Sequence, residues 1–230
     1  MERRIAVRDT YDRIATHFAS TREYAWPEVE SFVESATRTF ESPEFDRTST
    51  VALDLGCGNC RHAELLAPSV DRVLGLDVSR GLLETSRERA TERGFDVDLL
   101  QADAGGLPLR SDVVDVAVYV ATLHHLPTRS ARLDSLDELA RVLAPDATAL
   151  VSVWSTAHDR FEETEGFDTT VEWTLPGGEP VDRFYHIYDP DEFAADLETS
   201  ALEVVRLELS SGNCYAVVRP GADGREVPDK

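Results

Sequence analysis

Lysine is all but missing from the 230 residues: Lys230 is the only one, and every other base among the 23 is an arginine. Cysteine is scarce too, with three in all, Cys57, Cys60 and Cys214. That is too few for a disulfide scaffold, and a chain of this length buries a full core without one. Cys57 and Cys60 form a C-x-x-C, but no second such pair completes a four-coordinate zinc site. Small side chains filling a tight turn account for them, and no metal is expected. No apolar run approaches the ~18 residues of a membrane span. The opening MERRIAVRDT is amphipathic rather than a signal peptide, so a cytoplasmic protein without membrane attachment is expected. Repeats and low-complexity tracts are absent.

Acid is abundant. Forty-four Asp and Glu set a formal charge of −21, spread along the whole chain rather than gathered in a tail. The distribution resembles that of proteins from salt-adapted cells, and it speaks to solvent more than to partner. On electrostatics alone it weighs against a nucleic-acid partner.

The chain is organised around residues 51–60, VALDLGCGNC. A short apolar β-type run ends in Gly56 and Gly58, and a helix is predicted from 61 to 67. Strand, glycine turn and helix start make a place where backbone N–H groups face a ligand and no side chain blocks its approach. Asp54 precedes the glycines. Asp77 follows Gly58 at about the 20-residue spacing at which a carboxylate holds ribose hydroxyls. Arg61 stands where a dinucleotide fingerprint would have its third glycine. An acid ahead of the pair, D-x-G-x-G, resembles the S-adenosylmethionine (SAM) motif of class I methyltransferases. Asp103 and Ala104, after the third predicted strand, suit the adenine. The expected cofactor set is Asp54, Gly56, Gly58, Asp77, Asp103 and Ala104.

Strands are predicted near 51–55, 72–77, 96–101, 113–120 and 147–154, with helices near 61–67, 80–93 and 129–143. This alternation implies a doubly wound, mostly parallel sheet of the Rossmann-like class I methyltransferase type. Two runs, 202–209 and 214–219, read as an antiparallel hairpin closing it. Before it, residues 1–50 form a helical extension able to cover the cleft, with helices over 8–20 and from Pro27, and a polar connection at 42–49. Within the methyltransferase domain, 51–219, residues 155–182 read as a mobile substrate-side insertion. Asp189-Pro190 starts a further helix. The tail, 220–230, is expected to be disordered.

Two segments offer acceptor-side chemistry. His124 and His125 follow the fourth strand at its carboxyl end, one facing the cleft and one structural. Arg183, Tyr185 and His186 bring charge, a hydroxyl and an imidazole after the insertion, although an aromatic core strand explains that segment equally well.

Tyr11–Phe18, Thr21-Arg22, Trp26-Pro27, Leu53–Asn59, Leu123–Leu126, Leu150–Trp154 and Arg183–Tyr188 together resemble the eukaryote-type tRNA wobble-uridine carboxymethyl methyltransferases. The resemblance implies methylation of the carboxylate of 5-carboxymethyluridine in tRNA, and heterodimer formation with a small zinc-binding activator protein. It implies substrate contacts at Arg22, His124 or His125, Arg183, Tyr185 and His186. Cys60 and Asp146-Ala147 depart from that family's usual glycines. Two competing readings are a class I methyltransferase for a small-molecule acceptor and a SAM-binding scaffold without turnover.

Overall fold

The structure is a computed structural model that describes residues 2–42 and 47–222. Helix α1 (Glu2–Ser20) and helix α2 (Pro27–Thr37) come first, followed by a 3-10 turn at Arg38–Glu41. Strands β1 (Val51–Leu55), β2 (Arg72–Asp77), β3 (Asp98–Gln101), β4 (Val114–Val120) and β5 (Leu143–Trp154) then alternate with α3 (Arg61–Leu66), α4 (Arg80–Arg93) and α5 (Arg129–Val142). Strands β6 (Phe167–Thr174) and β7 (Pro180–Ile187), helix α6 (Pro190–Thr199), and strands β8 (Leu202–Ser210) and β9 (Asn213–Pro220) complete the chain.

One seven-stranded sheet has the order β3-β2-β1-β4-β5-β9-β8. Its first five strands are parallel, and β9 and β8 close it antiparallel. Strand β4, at the centre, is buried over its whole length, as a parallel strand covered on both faces must be. Ala117 and Tyr119 face one core layer, with Leu136 and Leu139 of α5. Val116, Val118 and Val120 face the other, with Val29, Phe32 and Val33 of α2.

The extension is stitched to the domain. Asp12 accepts hydrogen bonds from the Ser79 hydroxyl (2.6 Å) and the Gly81 N–H (2.9 Å) at the start of α4. Gly81 permits this approach, since a Cβ there would lie 3.0 Å from both the Asp12 carbonyl oxygen and the Ala15 Cβ. Helix α1 also starts earlier than its apolar spacing indicated, at Glu2 rather than residue 8.

The largest departure concerns 155–182. Much of it is β-structure: β6 pairs antiparallel with β7 from Phe167↔Ile187 to Thr174↔Pro180, a second, two-stranded sheet. The Pro176-Gly177-Gly178 segment supplies the turn, with positive φ at both glycines (107° and 89°). This sheet carries Trp173, Arg183 and Tyr185 to the mouth of the cleft. Parts of the 42–49 connection and the tail beyond residue 222 lie outside the described residues.

Candidate active site

A cavity of about 570 Å³ opens at the carboxyl ends of β1, β2 and β4, roofed by α1 and walled by the β6–β7 sheet. Its cofactor end is made by the turn after β1. The Gly56 and Cys57 N–H groups both donate to the Leu76 carbonyl, at 2.7 and 2.9 Å, which joins the turn to β2. Gly56 has φ +70°, and a Cβ there would fall 2.3 Å from the Thr122 side chain. Gly58 has φ +56°, and its missing Cβ would point into open space, meeting only Phe18 at 3.8 Å. The first glycine is demanded by packing; the second has a left-handed backbone that favours glycine and leaves the space beside the turn open.

Asp77 accepts the Gly58 N–H (2.9 Å) and the Ser79 N–H (2.8 Å). Burial pushes its carboxyl up to about 6, although both amide hydrogen bonds pull the other way. Asp103 and Ala104 line the same end, after β3. Gly56, Gly58, Asp77, Asp103 and Ala104 therefore come together as the spacing implied. Asp54 does not join them. It lies on the Ala52 face of β1, 1% exposed, where it accepts the Ala63 N–H (3.0 Å) and so caps the start of α3 from below. That places it at the helix dipole's positive end, outside the cavity lining.

At the acceptor end the histidines' protons are assigned by their partners. The His124 Nδ1 accepts the Trp154 N–H at 3.0 Å, so its proton sits on Nε2. The His125 Nδ1 donates to the Phe184 carbonyl (2.9 Å), and its Nε2 accepts from the Tyr11 hydroxyl (2.9 Å). Burial keeps both rings neutral: His125 is lowered to about 4, and His124 well below its usual value with help from neighbouring positive charge. Neither imidazole retains a free lone pair with which to act as a base.

Arginines crowd the same space. Arg22, Arg61, Arg160 and Arg183 all line it. Among the described residues none of the four has a carboxylate within 4.0 Å. Each lies over an aromatic ring instead: Arg22 over Phe18 and Trp173, Arg61 over Trp26, Arg160 over Trp154, Arg183 over Trp173 and Tyr185. Arg183 is 7% exposed, donates one hydrogen bond to the Tyr185 hydroxyl (2.7 Å), and leaves Nε without a partner. Burial and the nearby Arg22 lower Arg61 to about 10. Arg183 is buried, Arg22 and Arg61 are half-buried and Arg160 is exposed, so this end is positive in a chain of charge −21.

His186 is not part of it. Strand alternation turns Arg183 and Tyr185 toward the cavity and His186 away, where its ring lies between Asp168 (2.9 Å) and Glu192 (2.9 Å). Sequence reasoning passed over Asn59, whose amide donates to the carbonyls of Ala19 (3.2 Å) and Arg22 (2.8 Å), and the walls Trp154, Arg160 and Trp173. Cys57 and Cys60 are buried free thiols within the turn, Cys60 in a left-handed conformation (φ 59°). Among the described residues no group of three or more His, Cys, Asp or Glu could hold a metal ion, and no helix is long and apolar enough to cross a membrane.

The glycine turn, the carboxylate that ends β2 and the sheet order point to the class, and the comparisons agree. Residues 53–151 match the family model described as a methyltransferase domain. A solved S-adenosylmethionine-dependent methyltransferase from Clostridium acetobutylicum superposes with a TM-score of 0.70 at 12% identity, covering 90% of this chain and 99% of that one. The chain has the class I SAM-dependent methyltransferase fold and carries a methyltransferase domain over residues 53–151.

Within that class its sequence is similar to tRNA (carboxymethyluridine(34)-5-O)-methyltransferases. It is 35% identical to the one from Arabidopsis thaliana over 168 residues, 73% of this chain and 36% of the relative. It is 25% identical to the one from Schizosaccharomyces pombe, over 92% of this chain and 94% of the relative. The chain thus spans about a third of the Arabidopsis relative, and only 20% of a mouse relative with the same activity in its name.

Proposed function

We propose that this chain methylates the carboxylate of 5-carboxymethyluridine at the tRNA wobble position, with SAM as methyl donor and a small zinc-binding activator as partner, in a salt-rich cytoplasm. The observation that carries the reading is the acceptor end's inventory: a buried cation, Arg183, with Arg22 and Arg61 half-buried beside it, and an N–H donor, with both histidine lone pairs already engaged. A carboxylate, with a pKa of about 4, is ionised at neutral pH and needs no base. An alcohol or an amine would need one. Three carboxylates reach the cavity, but Asp77 and Asp103 serve the cofactor end and Glu172 is exposed at the rim.

The cofactor's adenosine fits the residues present. Asp77 would accept from ribose hydroxyls, the Asp103 turn would meet the adenine, and Gly58 would leave room for its methionyl part. Bound SAM supplies an electrophilic methyl on a sulfonium. This chain supplies position. Arg183 orients the acceptor carboxylate, the His124 Nε2–H donates to it, and α1 with Trp173 excludes water that would otherwise solvate the nucleophile. Tyr11 and His125 hold the wall in register.

The tRNA assignment is supported by the names of the relatives and by four arginines without a carboxylate partner among the described residues. A second reading, a small-molecule acceptor, is favoured by the charge of −21, which repels a polyanion wherever salt does not screen it. One experiment separates the two. The chain is co-produced with the candidate activator and assayed in concentrated KCl with labelled SAM and base-saponified tRNA, and the digested nucleosides are identified by mass spectrometry. A labelled methyl ester of 5-carboxymethyluridine is expected. SAM bound tightly with no labelled nucleoside would overturn the tRNA reading in favour of a small acceptor.

A further inference from the structure

Exposed apolar surface is concentrated on one strand. The large hydrophobic side chains exposed among the described residues are Tyr24, Val205, Leu207 and Leu209, and the last three, 56, 41 and 55% exposed, all belong to β8. Strand β8 is the outer strand of the seven-stranded sheet, so one row of its N–H and C=O groups has no ladder in this chain. Edge strands are commonly guarded by lysine or proline; β8 contains neither. Its register with β9 sets Leu207 opposite Ala216 and Leu209 opposite Cys214 on one face, and Arg206 opposite Val217 and Glu208 opposite Tyr215 on the other.

We infer that β8 is a self-association edge, on which a second copy of this chain pairs antiparallel about a two-fold axis at Leu207. In that register Leu207 meets its own copy, Val205 meets Leu209, and Arg206 meets Glu208, each of the last two contacts occurring twice. The Leu207 side chains cover one another at the axis, and the Arg206–Glu208 pair, 3.6 Å apart within one strand, gains a second pair across it. A slip of one residue sets Arg206 against Leu207 and Val205 against Glu208. A slip of two sets Arg206 against Arg206, or Glu208 against Glu208. One register alone satisfies every position, and it is complementary to itself rather than to an unrelated surface.

The backbone limits the strength. A register shift between Val204 and Arg206 bounds the paired stretch at Val205, so the ladder is short. Each copy also brings a charge of −21. Association therefore rises with salt, as the Debye length falls to about 3 Å at 1 M.

The test is the full chain in concentrated KCl, with mass read by light scattering over a concentration series. A dimer is expected that dissociates as salt is removed. Arg206→Glu is expected to abolish it and the double change Arg206→Glu with Glu208→Arg to restore it, circular dichroism confirming that each variant folds. Leu207→Cys is expected to form a disulfide-linked dimer on mild oxidation, because the native cysteines are buried. A wild type that stays monomeric at every salt and concentration overturns the inference, including one that gains a different protein on this edge. So does a dimer indifferent to Arg206→Glu with no cross-link through residue 207.

Discussion

At the cofactor end the cavity is built from backbone amides and carboxylates, delivered by adjacent parallel strands within fifty residues of chain. At the acceptor end it is built from long side chains delivered by α1, the turn after β4, the end of β5 and the separate β6–β7 sheet. The first end holds its groups through main-chain hydrogen bonds: Gly56 and Cys57 to Leu76, Gly58 and Ser79 to Asp77. The second holds them by ring stacking and one continuous chain from Tyr11 through His125 to the Phe184 carbonyl. A site whose parts are anchored separately is expected to fail separately.

The sharpest break is Arg183→Ala. Turnover with the acceptor is expected to fall by about 10²–10³, the scale of losing a buried charge that pairs with a ligand, or roughly 3–4 kcal/mol. SAM affinity measured by calorimetry should stay within about twofold, on the additivity of separate sites. Loss of SAM binding with the fold intact would show that the two ends are not independent.

Asp77→Asn reverses the pattern. SAM affinity is expected to weaken by about 10- to 100-fold, the loss of one or two charge-assisted hydrogen bonds. The acceptor's binding should be little changed in an equilibrium assay at saturating SAM.

Tyr11→Phe is subtler. It removes the donor to the His125 Nε2 and leaves that atom unpaired in a buried wall, a cost of about 1–2 kcal/mol, or roughly tenfold in turnover. A similar loss of SAM affinity would mean that Tyr11 belongs to the cofactor end.

The smallest effect is in pH. The Asp77 carboxyl is raised to about 6 in the free protein, and ribose hydroxyls prefer its ionised form. SAM affinity should therefore be flat above neutrality and decline as pH falls through about 6, at most tenfold per unit. In Asp77→Asn that inflection should vanish. The histidines add nothing to it in this range, since both already stay neutral below their ordinary values.

The same contrast decides what could be read from sequence. The glycine turn, Asp77 and Asp103 are legible because a parallel sheet brings strand ends together at fixed chain spacings. Asp54 misleads: motif position suggests a ligand contact, but a one-residue step in a strand reverses the face, and the side chain is used under α3. His186 misleads for the same period-two reason, with Arg183 and Tyr185 on the other face. The β6 strand was readable, since Val171 and Trp173 alternate with Glu172 and Thr174 ahead of a Pro-Gly-Gly turn. Acidic residues in that stretch obscured it. The pairing of Tyr11 with His125, 114 residues apart, has no local signal at all.

Asn59 sits in the glycine turn, yet its amide grips the last turn of α1 at Ala19 and the carbonyl of Arg22. The loop that meets one substrate thereby carries the wall that meets the other. Asn59 thus ties the glycine turn to the backbone at Arg22, while Arg183 and His125 are held by other partners.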